Sequence, residues 1–295
     1  MGGTVAIGTC GGRTTATARI RVAVLPAAGL GTRMAPGTLA VPKELMPVGG
    51  RPAIDFVLDE AFAAGIDEVL VVSSPRKPAL RSYLSRGEIP ELRGREHARS
   101  GVVRVIDQPE PRGLGDAVRL ARDALGGQPF AVLLPDELML GGEALLARML
   151  ELHMSCGGSV IGVMEVSQDE VSAYGCVRPV ASALDGVIMA GGFVEKPMPH
   201  EAPSRLAIVG RYVLDEDVLA RLSDLPAGHN GEVQLTSALD LAAHETPLCC
   251  VEVGPSDRRL DVGSWAGWLL ANEILFGGPL ASESSAGAAM SRQPA

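Results

Sequence analysis

Residues 22–47 read VAVLPAAGLGTRMAPGTLAVPKELMP and decide the fold. The first four residues form a short apolar run bounded by Pro26 and Gly29, which predicts a strand buried on both faces of a parallel sheet. Gly29 and Gly31 lack side chains, so the backbone N–H groups that follow the strand can turn toward an anion. Because α/β sheets bind ligands at the carboxyl ends of their strands, the stretch predicts an anion-binding loop.

Two cations and a hydroxyl in this stretch favour a polyphosphate ligand. Arg33 can grip phosphate oxygens in a fork, Lys43 adds a point charge, and Thr32 can donate a hydroxyl hydrogen. Two other phosphate motifs fit poorly, because Met34 stands where a dinucleotide fingerprint needs its third glycine and no GK[ST] follows as in a P-loop. Taken alone, the loop fits an ordinary tight turn about equally well.

Beyond the loop, apolar patterns alternate between strand and helix, which predicts an α/β fold with a doubly wound, mostly parallel sheet. From about residue 160 the strands become short and closely spaced, which predicts a mixed subregion. The predicted strands are 22–25, 68–73, 102–106, 131–134, 160–164, 175–179, 192–194 and 207–213. The predicted helices are 54–61, 77–85, 115–125, 216–222, 235–243 and 265–276. In the last helix Trp265, Trp268 and Leu269 share a face, which predicts that they are core residues.

Composition indicates a globular protein and excludes several classes. The chain has 295 residues, 46% of them hydrophobic, and a net charge of -9. An acidic chain lacks the basic surface that nucleic acids require, and no apolar run approaches the roughly 20 residues of a membrane span. The five cysteines are odd in number and contain no CxxC pair, so we expect a cytoplasmic protein. The histidines show no ligand spacing, which disfavours zinc.

We expect one mixed α/β domain spanning 20–281. The segment 1–19 is rich in Gly, Thr and Ala and lacks the apolar core of a secretory signal. The segment 282–295 is dominated by Ser, Gly, Pro and Ala. Both ends are predicted to be disordered.

A series of short blocks carries a family resemblance. In chain order they are GLGTRM, VPKELMPV, QPEPRGLGDAV, LLPDE, AYGCV, FVEKP, IVGRYVL and GEVQLT. Together they resemble the bacterial UTP-glucose-1-phosphate uridylyltransferases, also called UDP-glucose pyrophosphorylases, of the sugar-phosphate nucleotidylyltransferase family. The resemblance covers roughly 21–277. It implies a Rossmann-like, nucleotide-diphospho-sugar transferase-like fold with a sugar-binding subregion.

The resemblance also implies the reaction. UTP and glucose 1-phosphate would be the substrates, and Mg²⁺ would assist in-line attack of the sugar phosphate on the α-phosphate. Arg33, Lys43 and Lys196 would be catalytic. Gln108, which follows a predicted strand and offers an amide donor and acceptor, would read the pyrimidine. The implied nucleotide-binding residues are Ala28, Gly29, Leu30, Gly31, Thr32, Gln108, Gly113, Leu114 and Gly115.

Two aspartates are the candidate metal ligands. Asp136 directly follows the strand-like AVLLP, where a carboxylate can hold Mg²⁺ against phosphate oxygens or can simply cap the next element. Mg²⁺ is usually held by one or two carboxylates plus substrate phosphates, so a second ligand is expected. Asp261 in RRLDVGS is assigned only by its resemblance to the family's second acidic residue.

The sugar side is assigned to Gly175, Glu195 and Lys196. By resemblance Gly175 allows close approach of the sugar, Glu195 accepts hydrogen bonds from hydroxyls, and Lys196 binds the sugar phosphate. Because neighbouring residues of a strand point to opposite faces, a bulge or turn before Pro197 is needed if both side chains face the site. An exposed ion pair is the alternative.

Two departures from the family pattern keep alternatives open. Leu39 stands where the uridylyltransferases usually have a Lys, and related thymidylyltransferases tolerate an apolar residue there. The segment between Tyr83 and Val102 is shorter than the family's helical insertion, so a homo-oligomer is neither required nor excluded. Transfer to another sugar 1-phosphate, use of dTTP or another nucleotide, and a non-catalytic sugar-nucleotide-binding protein all remain open. A dinucleotide-dependent oxidoreductase is disfavoured by Met34.

Overall fold

The computed structural model describes residues 19–85, 101–141, 145–182, 187–228, 231–246 and 248–277. The ends that the sequence predicts to be disordered, 1–19 and 282–295, lie outside the described residues except for Arg19, whose guanidinium contacts Gly65 and Asp67. Most of the segment between Tyr83 and Val102 also lies outside them. Within the described ranges, no helix has the length and hydropathy needed to cross a membrane.

The described strands and helices alternate along the first half of the chain. The strands are β1 (Val22–Ala27), β2 (Pro47–Val48), β3 (Arg51–Pro52), β4 (Glu68–Ser73), β5 (Val102–Asp107), β6 (Phe130–Leu133), β7 (Glu137–Gly141), β8 (Val160–Glu165), β9 (Gly175–Val180), β10 (Ile188–Glu195), β11 (Leu206–Leu214), β12 (Leu248–Glu252) and β13 (Asp257–Asp261). The helices are α1 (Gly37–Ala40), α2 (Ala53–Ala63), α3 (Pro78–Ser85), α4 (Leu114–Leu120), α5 (Arg122–Leu125), α6 (Leu145–Cys156), α7 (Glu216–Asp224), α8 (Leu235–Glu245) and α9 (Trp265–Phe276).

Nine of these strands form one sheet in the order β5-β4-β1-β6-β11-β8-β12-β10-β9. The strands β5, β4, β1 and β6 run parallel, whereas β11 pairs antiparallel with both β6 and β8. This arrangement confirms the α/β prediction of a mixed sheet. The loop after β1 therefore has β4 and β5 on one side and the other six strands of the sheet on the other side.

Among the parallel strands, β1, β4 and β6 are buried on both faces, as their unbroken apolar runs predict, whereas the edge strand β5 is partly exposed. In β1, Val24 packs into the core on one face of the sheet, and Ala23 and Leu25 pack into the core on the other. The same alternation continues in β4, with Leu70 on the first face and Val69 and Val71 on the second. The two cores fix the register of the strands, and hence the position of the loops that follow them.

A two-stranded ribbon, β7–β13, crosses the edge where those loops lie. Its antiparallel register pairs Glu137 with Asp261, and the Val262 N–H donates to the Asp136 carbonyl at 2.8 Å. We did not predict this ribbon from the sequence. It brings two residues that are far apart in the chain, Asp136 and Asp261, to the same place.

Two predictions about helices need correction. The helix predicted at 115–125 is divided at Ala121 into α4 and α5. The prediction that Trp265 and Leu269 are core is wrong, because they are 39% and 57% exposed. Helix α9 buries a different side, at Ala271 and Asn272. Helical spacing shows which residues share a face, but not whether that face meets the core.

Candidate active site

The loop after β1 has the backbone geometry that an anion-binding turn needs. Gly31 adopts a left-handed conformation with φ of 67°. A Cβ at this position would also lie 2.9 Å from Cγ2 of Thr38, whose hydroxyl donates to the Gly31 carbonyl at 2.9 Å. The positive φ and the close approach of Thr38 both favour glycine at position 31. At Gly29 a Cβ would meet nothing within 4 Å, so the space over that residue is open to a ligand.

The other predicted members of this loop differ in exposure. Ala28 is buried at the end of β1, whereas Leu30 is 45% exposed. Thr32 and Arg33 begin a short 3-10 turn, and the Arg33 side chain is 64% exposed. The loop therefore presents its backbone, the Leu30 side chain and one extended cation to solvent.

Asp136 and Lys43 form the central ion pair of the site. Lys43 Nζ lies 2.5 Å from Asp136 Oδ2, and the Arg33 guanidinium lies 3.6 Å from the same oxygen. Burial acts to raise the pKa of Asp136, but the charges of Lys43 and Arg33 outweigh it and lower that pKa below its usual value. The pKa of Lys43 is raised, because Asp136 and Glu44 outweigh the effect of burial. Both groups are therefore charged at neutral pH.

The Asp261 carboxylate lies near this ion pair, next to Gly263. A Cβ on Gly263 would lie 2.7 Å from Asp136 Oδ2, 2.8 Å from the Arg33 guanidinium and 3.1 Å from Asp261 Oδ1. Three of the predicted site residues therefore surround one point, and a side chain at position 263 would displace at least one of them. The Gly263 N–H also donates to Asp261 Oδ1 at 2.8 Å, which orients that carboxylate.

The donor set fits a divalent cation of the kind that phosphoryl-transfer enzymes use. Two carboxylate oxygens approach the same point, and hard oxygen ligands suit Mg²⁺. Among the described residues no group of three or more His, Cys, Asp or Glu side chains could hold a metal alone. Two carboxylates are sufficient for an ion that takes its remaining ligands from substrate phosphates and water.

A buried ion pair, which sequence reasoning missed, holds the two phosphate-side segments together. Lys77 Nζ donates to both oxygens of Glu44, at 2.8 and 2.9 Å, and to the Ala27 carbonyl at 2.8 Å. Glu44 is fully buried and Lys77 is 7% exposed. Burial lowers the pKa of Lys77 despite the Glu44 carboxylate. Because Glu44 follows Lys43 and Ala27 ends β1, this pair fixes the spacing between Lys43 and the glycine loop.

On the base side, Gln108 follows β5 and is 3% exposed. Its Nε2 donates to Asp116 Oδ2 at 2.7 Å and to the Gly113 carbonyl at 3.4 Å. Both amide hydrogens are therefore directed at protein acceptors. The expectation that Gln108 would offer a base both a donor and an acceptor needs correction, since the described contacts leave only its oxygen.

The glycines of the GLG motif have a packing role. A Cβ on Gly113 or on Gly115 would lie 2.8 Å from the carbonyl oxygen of Val233. That carbonyl accepts a hydrogen bond from the Gly115 N–H at 2.8 Å, and Leu114 between the glycines packs against the core. The GLG and GEVQLT motifs are thus in direct contact. The approach of a base to these glycines stays a prediction.

The sugar-side residues also lie together. A Cβ on Gly175 would be 3.3 Å from Glu195 Oε2 and 3.2 Å from Thr236 Oγ1. The Thr236 hydroxyl donates to Glu195 Oε2 at 2.7 Å. We missed Thr236 in the sequence, although it belongs to the GEVQLT block. Glu195 and Thr236 line a cavity of about 250 Å³ together with Phe193, Ser237 and Asp240.

The backbone turns at Lys196, as is required if the side chains of Glu195 and Lys196 are to face the same side. It is the one non-glycine residue with positive φ in the described ranges, at 44°, and it directly follows β10. The left-handed residue brings Lys196 Nζ to 3.4 Å from Glu195 Oε1, so both side chains are on the same side of the chain. The Lys196 side chain is 59% exposed.

A mostly buried arginine, Arg259, lies between the segment that carries Asp136 and the segment that carries Lys196. Arg259 Nε donates to Glu137 Oε2 at 2.5 Å, and its guanidinium lies 3.3 Å from the Tyr174 hydroxyl and 5.2 Å from the ring centroid. Glu137 follows Asp136 in the chain, and the Tyr174 carbonyl accepts the Lys196 N–H at 3.0 Å. One ion pair and two hydrogen bonds therefore link the segment of Asp136 to the segment of Lys196.

Comparison with known proteins identifies the family. The profile described as nucleotidyl transferase matches residues 22–275, which is most of the chain. The chain belongs to the nucleotidyl transferase family. The match begins at β1 and ends in α9, so it includes every site residue described above.

Named relatives of this nucleotidyl transferase have a consistent description. The UTP-glucose-1-phosphate uridylyltransferase of Streptococcus pneumoniae is 38% identical over 86% of this chain and 89% of its own. The protein of the same name from Mycoplasma pneumoniae is 37% identical over 86% and 91%. A crystal structure of UDP-glucose pyrophosphorylase complexed with UDP-glucose superposes with a TM-score of 0.81 at 32% identity, covering 87% of this chain and 98% of that one.

A UTP-bound UGPase from Acinetobacter baumannii is a further structural neighbour of this nucleotidyl transferase, with a TM-score of 0.75 at 33% identity over 86% of this chain and 93% of that one. Both neighbours confirm the α/β fold predicted from the sequence, and the family match confirms that the chain is a nucleotidyltransferase.

Proposed function

We propose that this protein transfers a uridylyl group from UTP to glucose 1-phosphate, forming UDP-glucose and releasing pyrophosphate. The observation that supports it most directly is the convergence of Asp136, Asp261 and Arg33 on the point beside Gly263. Nucleotidyl transfer needs such a cluster, since charge on the transferred phosphate and on pyrophosphate must be neutralised. The names of the relatives supply the substrates.

The chain's own residues align two anions that repel each other. The second pKa of a phosphate monoester is near 6, so at neutral pH the attacking oxygen is largely ionised and needs no general base. Lys196 binds and orients the sugar phosphate, while Glu195 accepts hydrogen bonds from the sugar hydroxyls. Arg33 and Lys43 hold the leaving pyrophosphate. Alignment of this kind removes much of the entropic cost of a reaction between two substrates.

We propose Mg²⁺ as the metal ion, held by Asp136 and Asp261. When bound, it supplies positive charge next to the phosphate oxygens. In the structure Lys43 contacts Asp136, and the pair keeps this carboxylate ionised and therefore able to act as a ligand. Arg259 and Glu137 fix the ribbon that carries Asp261.

Transfer of a thymidylyl group is a second candidate, supported by Leu39. This residue is 85% exposed, and its apolar side chain takes the place of a cation that the uridylyltransferases usually have. The reaction and the residues that carry it out would be the same for both candidates.

We also propose a cytoplasmic location. The cysteines described by the structure are all free and buried, as expected for a protein of a reducing compartment.

Pyrophosphate release in the presence of Mg²⁺ tests the proposal. UTP, dTTP, CTP, GTP and ATP would each be paired with the 1-phosphates of glucose, galactose and glucosamine. We expect the highest kcat/KM with UTP and glucose 1-phosphate. Preference for dTTP would select the second candidate, and no release by folded protein with any pair would contradict both.

A further inference from the structure

We propose that Asp116 is a positioning residue that sets base specificity, because it fixes the Gln108 amide with its oxygen toward the nucleotide. The site would then select a pyrimidine that carries a hydrogen on N3, which means uracil or thymine in preference to cytosine. This inference rests on the proposed function, since it assumes a nucleoside triphosphate substrate. It goes further in naming Asp116 as the residue that controls the orientation of the Gln108 amide.

The orientation of Gln108 follows from the chemistry of its neighbours. A carboxylate and a carbonyl can only accept hydrogen bonds, so the amide nitrogen must face Asp116 and Gly113. The Asp116 side chain is 6% exposed, and its other oxygen is held by Arg119 at 2.5 Å. The described contacts of the Gln108 side chain all start from Nε2. Its Oε1 is therefore the part of the amide that can meet a ligand.

The order of strands places the base near this oxygen. The phosphate loop follows β1, and the sugar-side residues Gly175 and Glu195 lie on β9 and β10, at one end of the sheet. With the sugar phosphate on that side, the base of the triphosphate extends across β4 toward β5. Gln108 follows β5, and its N–H donates to the Ser73 carbonyl at the end of β4. Two strand spacings of roughly 4.8 Å separate β1 from β5, which gives about 10 Å.

An acceptor at this position discriminates between pyrimidines. Uracil and thymine carry N3–H, which can donate to Oε1, whereas cytosine has a lone pair at N3 that would oppose the oxygen. A buried polar group left unpaired in a binding site strongly disfavours the wrong ligand. If the carboxylate of Asp116 is replaced by an amide, Gln108 can turn over and present its NH₂ to N3 of cytosine.

The test is the ratio of kcat/KM for UTP to kcat/KM for CTP in Asp116→Asn, with glucose 1-phosphate as the second substrate. Asparagine keeps the size of the side chain, and we expect the ratio to fall by about 10- to 100-fold. The ratio of UTP to dTTP should not change, since both bases carry N3–H. Asp123→Asn, on the neighbouring helix α5, makes the same chemical change at an exposed position and should preserve both ratios.

The same substitution in a protein that lacks the Gln108 amide distinguishes a positioning role of Asp116 from a general structural effect. In Gln108→Ala the UTP to CTP ratio should already be low, and adding Asp116→Asn should lower it no further. An unchanged ratio in Asp116→Asn, or an equal further fall in the Gln108→Ala background, would overturn the inference. If Asp116→Asn does not fold, Asp116→Ala is measured in the same way with the same expectation. Preference of the unmodified protein for ATP or GTP would instead contradict the proposed function itself.

Discussion

One sheet carries two groups of candidate functional residues but holds them differently. Strands β1, β4 and β5 lead to the glycine loop and Gln108, whereas β9 and β10 carry Gly175 and Glu195. On the nucleotide side the strands are parallel, and the polar groups behind the loop are buried and paired, as in Lys77 with Glu44 and Gln108 with Asp116. On the sugar side the strands are mostly antiparallel and their registers shift, and Lys196 is largely exposed next to Glu195. We therefore expect the nucleotide site to be preformed, and the sugar site to gain order from its ligand.

The largest effect on stability is expected when the buried ion pair on the nucleotide side is broken at Lys77. Lys77→Met leaves the buried Glu44 carboxylate without a cation, and we expect the free energy of unfolding to fall by about 3–5 kcal/mol. Chemical denaturation of purified protein measures the change. The exposed neighbour provides a matched control, since Arg76→Met should alter stability by less than about 0.5 kcal/mol.

The double variant Lys77→Met with Glu44→Met should recover part of this loss, because replacing a buried pair by apolar residues is often close to neutral. If the loss in free energy of unfolding equals the sum of the losses in the two single variants, the two residues are not coupled. That result would contradict the expectation of a preformed nucleotide site.

Asp136 should show the largest effect on turnover. Asp136→Ala removes a carboxylate from the point beside Gly263, and we expect kcat to fall about 10²-fold or more, as for the loss of one electrostatic contact in a transition state. Steady-state pyrophosphate release at saturating Mg²⁺ measures it. Asp257→Asn, at the far end of the same ribbon and paired with Arg148, is the control and should keep most of the activity. Near-normal turnover in Asp136→Ala would remove this residue from the site.

On the sugar side, replacing Lys196 should raise KM for glucose 1-phosphate but not for UTP. Lys196→Gly removes the cation, and we expect KM for glucose 1-phosphate to rise about 10- to 100-fold, corresponding to about 1.5–3 kcal/mol for a charged hydrogen bond. KM for UTP should stay nearly constant. Glycine adopts the positive φ without strain, so Lys196→Gly should be more stable than Lys196→Ala by about 1 kcal/mol. An equal rise in both KM values would show that the two sides are not separable.

The smallest effect is expected at Thr236. Thr236→Val removes the hydroxyl that orients Glu195 and keeps the shape of the side chain. Loss of one hydrogen bond of about 1 kcal/mol should lower kcat/KM for glucose 1-phosphate about fivefold. An exposed hydroxyl away from the cavity gives the control, and Ser155→Ala on helix α6 should change kcat/KM by less than twofold by the same reasoning. Identical values for the two variants would exclude an orienting role for Thr236.

The sequence predicted the parallel part of the fold well, because strands buried on both faces appear as unbroken apolar runs. The end of β1, the strand β4 and the helix α2 were all located within a few residues. The ribbon β7–β13 could not be recognised in the same way. Its strands are ELMLG and DRRLD, in which Glu137 and Arg259 are shielded from solvent only because they pair with each other across the ribbon.

The candidate site shows the same division. Asp136 and the glycine loop follow recognisable strands, so their place at the edge of the sheet could be predicted. Lys77 and Glu44 resemble ordinary surface charges in the sequence, because only the tertiary contact shows that they are buried together. Asp116 looked like a residue of the first turn of a helix. Its contact with Gln108 depends on the loop between them, which no local pattern describes.

The close packing around Gly263 also offers a way to inactivate the enzyme without removing any of its charged side chains. In Gly263→Ala the added methyl group would lie among Asp136, Asp261 and Arg33 at 2.7 to 3.1 Å, too close for those groups to stay in place. Every charged side chain of the site would still be present, and the sites for the base and the sugar would be untouched. Such a protein would suit the capture of both substrates side by side, before either has reacted.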